Sequence, residues 1–247
     1  MLYRTLLTAL ALLLTSASSY AVVVFKGDNS ANTTAPANGL PFDSVGMLSG
    51  GTAVYLGDGY MLTANHVSIG SSVIFPDGSS YAIDTAFTPV QPVAGVDLKV
   101  FKLEEEPDIA AVSIYSGNTS VLLSSTSYVV GSGLGRNPSV STSSSNVKWG
   151  TSSTRDIRWG LVNSLKKSTS TGMVYFTSGT SNPVSLTTYD SGSPLFTYID
   201  GEWYITAIAV SIDSTTANSS TSRFYSYLYS SNYLIPLSDY IDGSIIP

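Results

Sequence analysis

Three of the chain's four Asp-Gly pairs, each set between strand-length apolar runs, constrain this chain more than any other feature. Asp58-Gly59 lies in GTAVYLGDGYMLTA, Asp77-Gly78 in SSVIFPDGSSYAI, and Asp200-Gly201 in SPLFTYIDGEWYITAIAVSI. A tight hairpin turn needs positive φ, which glycine accepts without steric cost, so each pair predicts two antiparallel strands. No long helical periodicity follows the N-terminal segment; IPLSDYIDG has room for one short helix with Ser238 near its start. Many short strands with turn signals predict an all-β fold, a sandwich or barrels.

With 43% hydrophobic residues in 247, the chain can bury a substantial core. Charged residues are only 11%, the net charge is −6, and the only adjacent basic pair is Lys166-Lys167. That lacks the basic patch a nucleic-acid binder needs. There is no cysteine, so disulfides and thiol catalysis are excluded, and a single histidine leaves few metal-site patterns, so no metal site is expected. At the N-terminus, Arg4, the apolar run TLLTALALLL and the small residues of SYA read as a signal peptide over residues 1–21. An uncleaved anchor is the alternative. Removal predicts a secreted or periplasmic protein with no membrane contact thereafter. Asn32, Asn118 and Asn218 begin glycosylation sequons, meaningful only in a pathway that glycosylates.

Residues 22–44 form an N-terminal segment. EEEPD closes one strand-rich block and YVVGSGLG opens another, dividing the remainder into units of residues 45–120 and 121–247. SVSTSSSNVKWGTSSTR is polar and of low complexity, which predicts an exposed loop.

His66, in LTANHV, is the only histidine. Imidazole is the usual general base for a hydroxyl nucleophile, and it needs a carboxylate to orient it. The serine candidate is Ser191 in TTYDSGSPLF, where glycine and a sharp turn before a strand would expose the hydroxyl. The carboxylate candidate is Asp97 in GVDLKVFKL, ahead of a strand in which Leu98, Val100 and Phe101 should pack. Asp84 is a less attractive alternative because no comparable strand follows it.

Together LTANHV, VDLKVFKL and DSGSPL resemble the three motif blocks of the chymotrypsin/trypsin-like serine endopeptidases, in that family's His, Asp, Ser order. GEWYITAIAVSI resembles the strand pair that walls the substrate cleft, and YVVGSGLG the entry to the second barrel. The resemblance spans roughly residues 45 to 241. It implies two packed six-stranded antiparallel barrels with a short C-terminal helix, and a secreted enzyme hydrolysing peptide bonds without a cofactor. Ser191 would attack the scissile carbonyl, His66 would carry its proton to the leaving amine, and Asp97 would hold the imidazole. The backbone N–H groups of Tyr189 and Ser191 would form the oxyanion hole. Ser185 would line the base of the specificity pocket, with Val210, Ser211 and Ile212 on its wall. A neutral Ser185 and a stiff Ile212 predict a shallow pocket for small or medium apolar residues.

Several positions depart from the family pattern. Tyr189 stands for a glycine, Ser193 for a second glycine, Asn65 for an alanine, and Val210 for a serine that often bonds the triad aspartate. These keep open a catalytically inactive binding protein on the same fold; a Ser/Thr-rich surface adhesin is a third class. Asp190 raises its own alternative: pairing with a freed N-terminal amine near Val22, or satisfaction from within the fold.

Overall fold

The computed structural model describes residues 23–24, 30, 32–137, 147–177, 184–213, 225–226 and 231–240. Residues 1–21, expected to be a signal peptide, and residues 241–247 lie outside this set. No helix among the described residues is long and apolar enough to cross a membrane.

The architecture is all-β: two curled antiparallel sheets forming half-barrels, with very little helix. The strands are β1 (Val23–Val24), β2 (Val45–Met47), β3 (Thr52–Gly57), β4 (Tyr60–Thr63), β5 (Ser72–Ile74), β6 (Ser80–Ala82) and β7 (Lys99–Lys102). After α1 (Ser120–Ser124) come β8 (Ser127–Gly131), β9 (Val147–Lys148), β10 (Arg158–Val162), β11 (Lys166–Lys167) and β12 (Val174–Thr177). The chain ends with β13 (Val184–Ser185), β14 (Pro194–Ile199), β15 (Glu202–Asp213), β16 (Tyr225–Ser226) and β17 (Ser231–Pro236).

Among the described residues the first sheet has six strands in the order β6-β5-β2-β3-β4-β7, and the second has seven in the order β10-β8-β14-β15-β17-β12-β11. This is consistent with a chymotrypsin-like two-barrel arrangement. The expectation of two packed six-stranded barrels holds in part: among the described residues the sheets are half-barrels rather than closed barrels, and the second has seven strands. The expected C-terminal helix is a single 3-10 turn, Leu237–Asp239, among the described residues.

The Asp-Gly pairs at residues 58–59, 77–78 and 200–201 all turn hairpins; the fourth, at residues 242–243, lies outside the described residues. Asp58 (φ 51°) with Gly59 (φ 81°) joins β3 to β4, and Asp200 (φ 51°) with Gly201 (φ 96°) joins β14 to β15. Positive φ at both central residues is the two-residue turn that matches strand twist. At Asp77-Gly78 only the glycine has positive φ, in a longer loop between β5 and β6 that Asp77 Oδ1 closes by accepting the Ser79 N–H at 2.8 Å.

One continuous core runs through both sheets. Val54, Met61, Leu62 and Phe101 fill it from the first, and Val129, Phe196, Ile205 and Leu234 from the second. The sheets are also joined by polar groups that burial makes costly to leave unpaired. The Thr52 Oγ1 accepts the Ser132 N–H at 2.9 Å and donates to Tyr189 O at 3.1 Å. Ser132 Oγ donates to Gly51 O at 2.9 Å, and Thr52 N–H donates to Ser191 O at 2.9 Å. The start of β3 is thereby fastened to the loop that carries Ser191.

Candidate active site

Strand register brings the first two candidates together. Thr63, the last residue of β4, pairs with Lys99, the first of β7. His66 lies three residues beyond one end and Asp97 two residues before the other, so both emerge at the same edge. Beyond β4 the chain turns, with Val67 N–H donating to Ala64 O at 3.1 Å, and the buried Val67 anchors the turn. Leu98, Val100 and Phe101 are fully buried, as their pattern predicts.

His66 Nδ1 lies 2.7 Å from Asp97 Oδ2, and the His66 backbone N–H donates to Asp97 Oδ1 at 3.0 Å. A carboxylate facing Nδ1 assigns the proton there and leaves Nε2 as the acceptor. Using both oxygens also fixes the ring's orientation. The pair is open to solvent, with the histidine side chain 48% and the aspartate side chain 37% exposed. Asp84, by contrast, accepts the backbone N–H groups of Ala86 and Phe87 in its own turn.

Ser191 sits in a compact turn. Asp190 N–H donates to Thr187 O at 3.1 Å, Ser193 N–H to Asp190 O at 3.0 Å, and Gly192 N–H to Ala209 O at 2.8 Å. Gly192 has φ 88°, and a Cβ there would lie 2.0 Å from Thr52 O, so only glycine fits. His66 and Ser191 line one cleft of about 450 Å³.

Two residues that line this cleft, Tyr189 and Ser191, have backbone N–H groups without a protein acceptor among the described residues. The reason is the way the preceding carbonyls are tied. Thr188 O accepts the Leu134 N–H at 3.0 Å, and Asp190 O accepts the Ser193 N–H. In a planar trans peptide the N–H points opposite the C=O, so each donor is turned away from its tether.

Tyr189 holds this arrangement at φ 75°, the left-handed region that glycine favours. For a tyrosine that conformation costs on the order of 1–2 kcal/mol. Its surroundings oppose the strain: its carbonyl accepts from Thr52, its ring packs beside Leu134 and Trp149, and the Arg155 guanidinium lies 4.3 Å from the ring centroid.

Asp190 is satisfied from within the fold. Its Oδ1 accepts the Gly133 N–H at 2.8 Å, and its Oδ2 accepts the Thr187 N–H at 2.7 Å and the Thr187 hydroxyl at 3.0 Å. Burial raises its pKa to about 7, against the lowering effect of those hydrogen bonds and of Arg158.

Of the expected pocket residues, Val210, Ser211 and Ile212 line the cleft. A bulge between Ala209 and Ser211 takes Val210 out of the β15–β17 ladder. Ser185 instead lies fully buried in β13, paired with Val23, and donates its hydroxyl to Leu186 O at 3.1 Å. The cleft surface beside it is formed by Leu186 and Thr187.

Trp149 is a lining residue the sequence reading missed. It sits in the stretch expected to be an exposed loop, yet is only 4% exposed and bridges to Arg136. A lone tryptophan in a polar stretch was the available signal. Only the end of that stretch, residues 147–155, is described; residues 138–146 lie outside the described set. Among the described residues no cluster of His, Asp and Glu is arranged to hold a metal ion.

Comparison with protein-family models and with curated proteins finds no match to this chain.

Proposed function

We propose that the protein is a secreted serine endopeptidase that hydrolyses peptide bonds through an acyl-enzyme. The observation that carries this reading is the 2.7 Å His66–Asp97 contact in a cleft shared with Ser191. With Asp97 on Nδ1, the free Nε2 is the base that takes the Ser191 proton as Oγ attacks the carbonyl carbon. The developing oxyanion is received by the unspent N–H groups of Tyr189 and Ser191. His66 then gives the proton to the leaving amine, and a water, deprotonated the same way, releases the acyl group. No step calls for a cofactor, and the partners are polypeptide substrates.

A fluorophosphonate probe tests the nucleophile: Ser191 is the expected labelled residue, found by peptide mapping. Ser191→Ala and His66→Ala should abolish labelling and nearly all turnover while the fold persists. Asp97→Asn should lower kcat on the order of 10⁴-fold, because asparagine stabilises the wrong imidazole tautomer. A folded wild-type protein that is not labelled would instead be a binding protein on this scaffold.

A further inference from the structure

Arg155 follows the 3-10 turn Ser152–Thr154 and reaches back across the junction of the sheets. Its Nε donates to Ser132 O at 3.0 Å, and Nη1 to Ser49 O at 3.1 Å. Nη2 donates to Leu48 O at 2.9 Å, Gly51 O at 3.2 Å and Ser132 Oγ at 3.2 Å. Among the described residues no carboxylate lies within ion-pair distance of it. The charge is held edge-on by neutral oxygens, chiefly carbonyls, and the flat face is left for the Tyr189 ring, 4.3 Å away. Gly50, inside the clamped 48–51 segment, lines the same cleft as His66, and Tyr189 lines it beside Ser191.

We infer that Arg155 is a positioning residue for the oxyanion hole: it holds Tyr189 in its left-handed conformation and so keeps the Tyr189 N–H turned to the cleft. This rests on the peptidase reading above. A guanidinium suits the role because it combines planar stacking with a fork of donors that leave its plane edge-on. Glycine would take the same φ without support. With tyrosine in the position, the conformation depends on what grips the ring and the carbonyl. Arg155 grips the ring and also ties it to the first-sheet loop, so the two halves of the site share one anchor.

The inference predicts a split between kinetic constants and a dependence on residue 189. Arg155→Lys keeps the charge but loses the stacking plane and most of the fork. It should lower kcat by about tenfold or more while KM stays within about twofold, since the lost donor acts on the oxyanion formed in the transition state. In a Tyr189→Gly background the same Arg155→Lys change should lower kcat by less than about twofold, because glycine needs no ring support. Equal losses in both backgrounds would show that Arg155 is a clamp between sheets and nothing more, and an unchanged kcat would overturn the inference outright. Should Arg155→Lys fail to fold, Tyr189→Leu reads the same stack with the clamp's hydrogen bonds intact. It should show the kcat loss, and wild-type kcat in that variant would overturn the inference. The fluorophosphonate reaction separates the two levels. An unreactive wild type removes the peptidase reading together with this one, whereas a reactive wild type whose rate is indifferent to Arg155 removes only this one.

Discussion

At the scale of single residues, the site is governed by how buried and half-exposed groups are partnered. Asp190 is the sharpest case. Burial favours its neutral form, three donated hydrogen bonds and Arg158 favour the charged form, and burial prevails, leaving the carboxyl near 7 against an ordinary 3.8. The folded protein therefore holds this proton more tightly than the unfolded chain. Its contribution to stability is fully present below about pH 4 and is lost as pH rises to about 7. Urea unfolding across that range should show wild-type stability falling more steeply with pH than that of Asp190→Asn, which has no proton to lose. A parallel pH dependence in the two proteins would contradict it. The internal partners also supply what a freed N-terminal amine would otherwise provide, and residue 22 itself lies outside the described residues.

At the scale of elements, β15 sets the shape of the cleft. Its regular ladder with β17 is interrupted between Ala209 and Ser211, and a bulge of this kind re-aims a side chain. Val210 and Ile212 both reach the cleft, where Trp149 and Leu186 add further apolar surface. The β-branched Ile212 is stiff at χ1 and cannot easily swing aside. A peptide-library digest should show cleavage after small or medium apolar residues, graded by about 1–3 kcal/mol per methylene. Ile212→Gly should shift the preference toward larger side chains such as Phe and Leu. Dominant cleavage after Arg or Lys by the wild type would refute this account of the pocket.

At the scale of the whole molecule, the site exists because two sheets are fastened at one line. Thr52, fully buried at the start of β3, touches Ser132, Tyr189 and Ser191 through its side chain and backbone. Thr52→Val keeps the volume but removes the hydroxyl, leaving the Ser132 N–H without its acceptor in a buried place. A loss of about 1–3 kcal/mol in urea-unfolding stability is expected, with the sheets still unfolding in a single transition because they share one core. Two separate transitions in the wild-type protein would show that the sheets are independent.

Local chemistry made much of this legible from residues alone. The Asp-Gly pairs announced their hairpins because positive φ is a property of the residue types, and Leu98, Val100 and Phe101 announced their burial by pattern. His66 and Asp97 were legible as a pair, and strand register is what turned their separation in sequence into a 2.7 Å contact. Other features depend on residues far apart in sequence meeting in space, and no local pattern encodes them. The form of the sheets was one: among the described residues, half-barrels of six and seven strands stand where two six-stranded barrels were expected. The burial of Trp149 was another, since its polar neighbours gave the stretch the composition of a loop while the space beside Tyr189 and Leu134 took the indole in. The grip of Arg155 on residues 48–51, 132 and 189 was a third. A guanidinium's partners are carbonyl oxygens present at every position of the chain, so only the tertiary structure could choose among them.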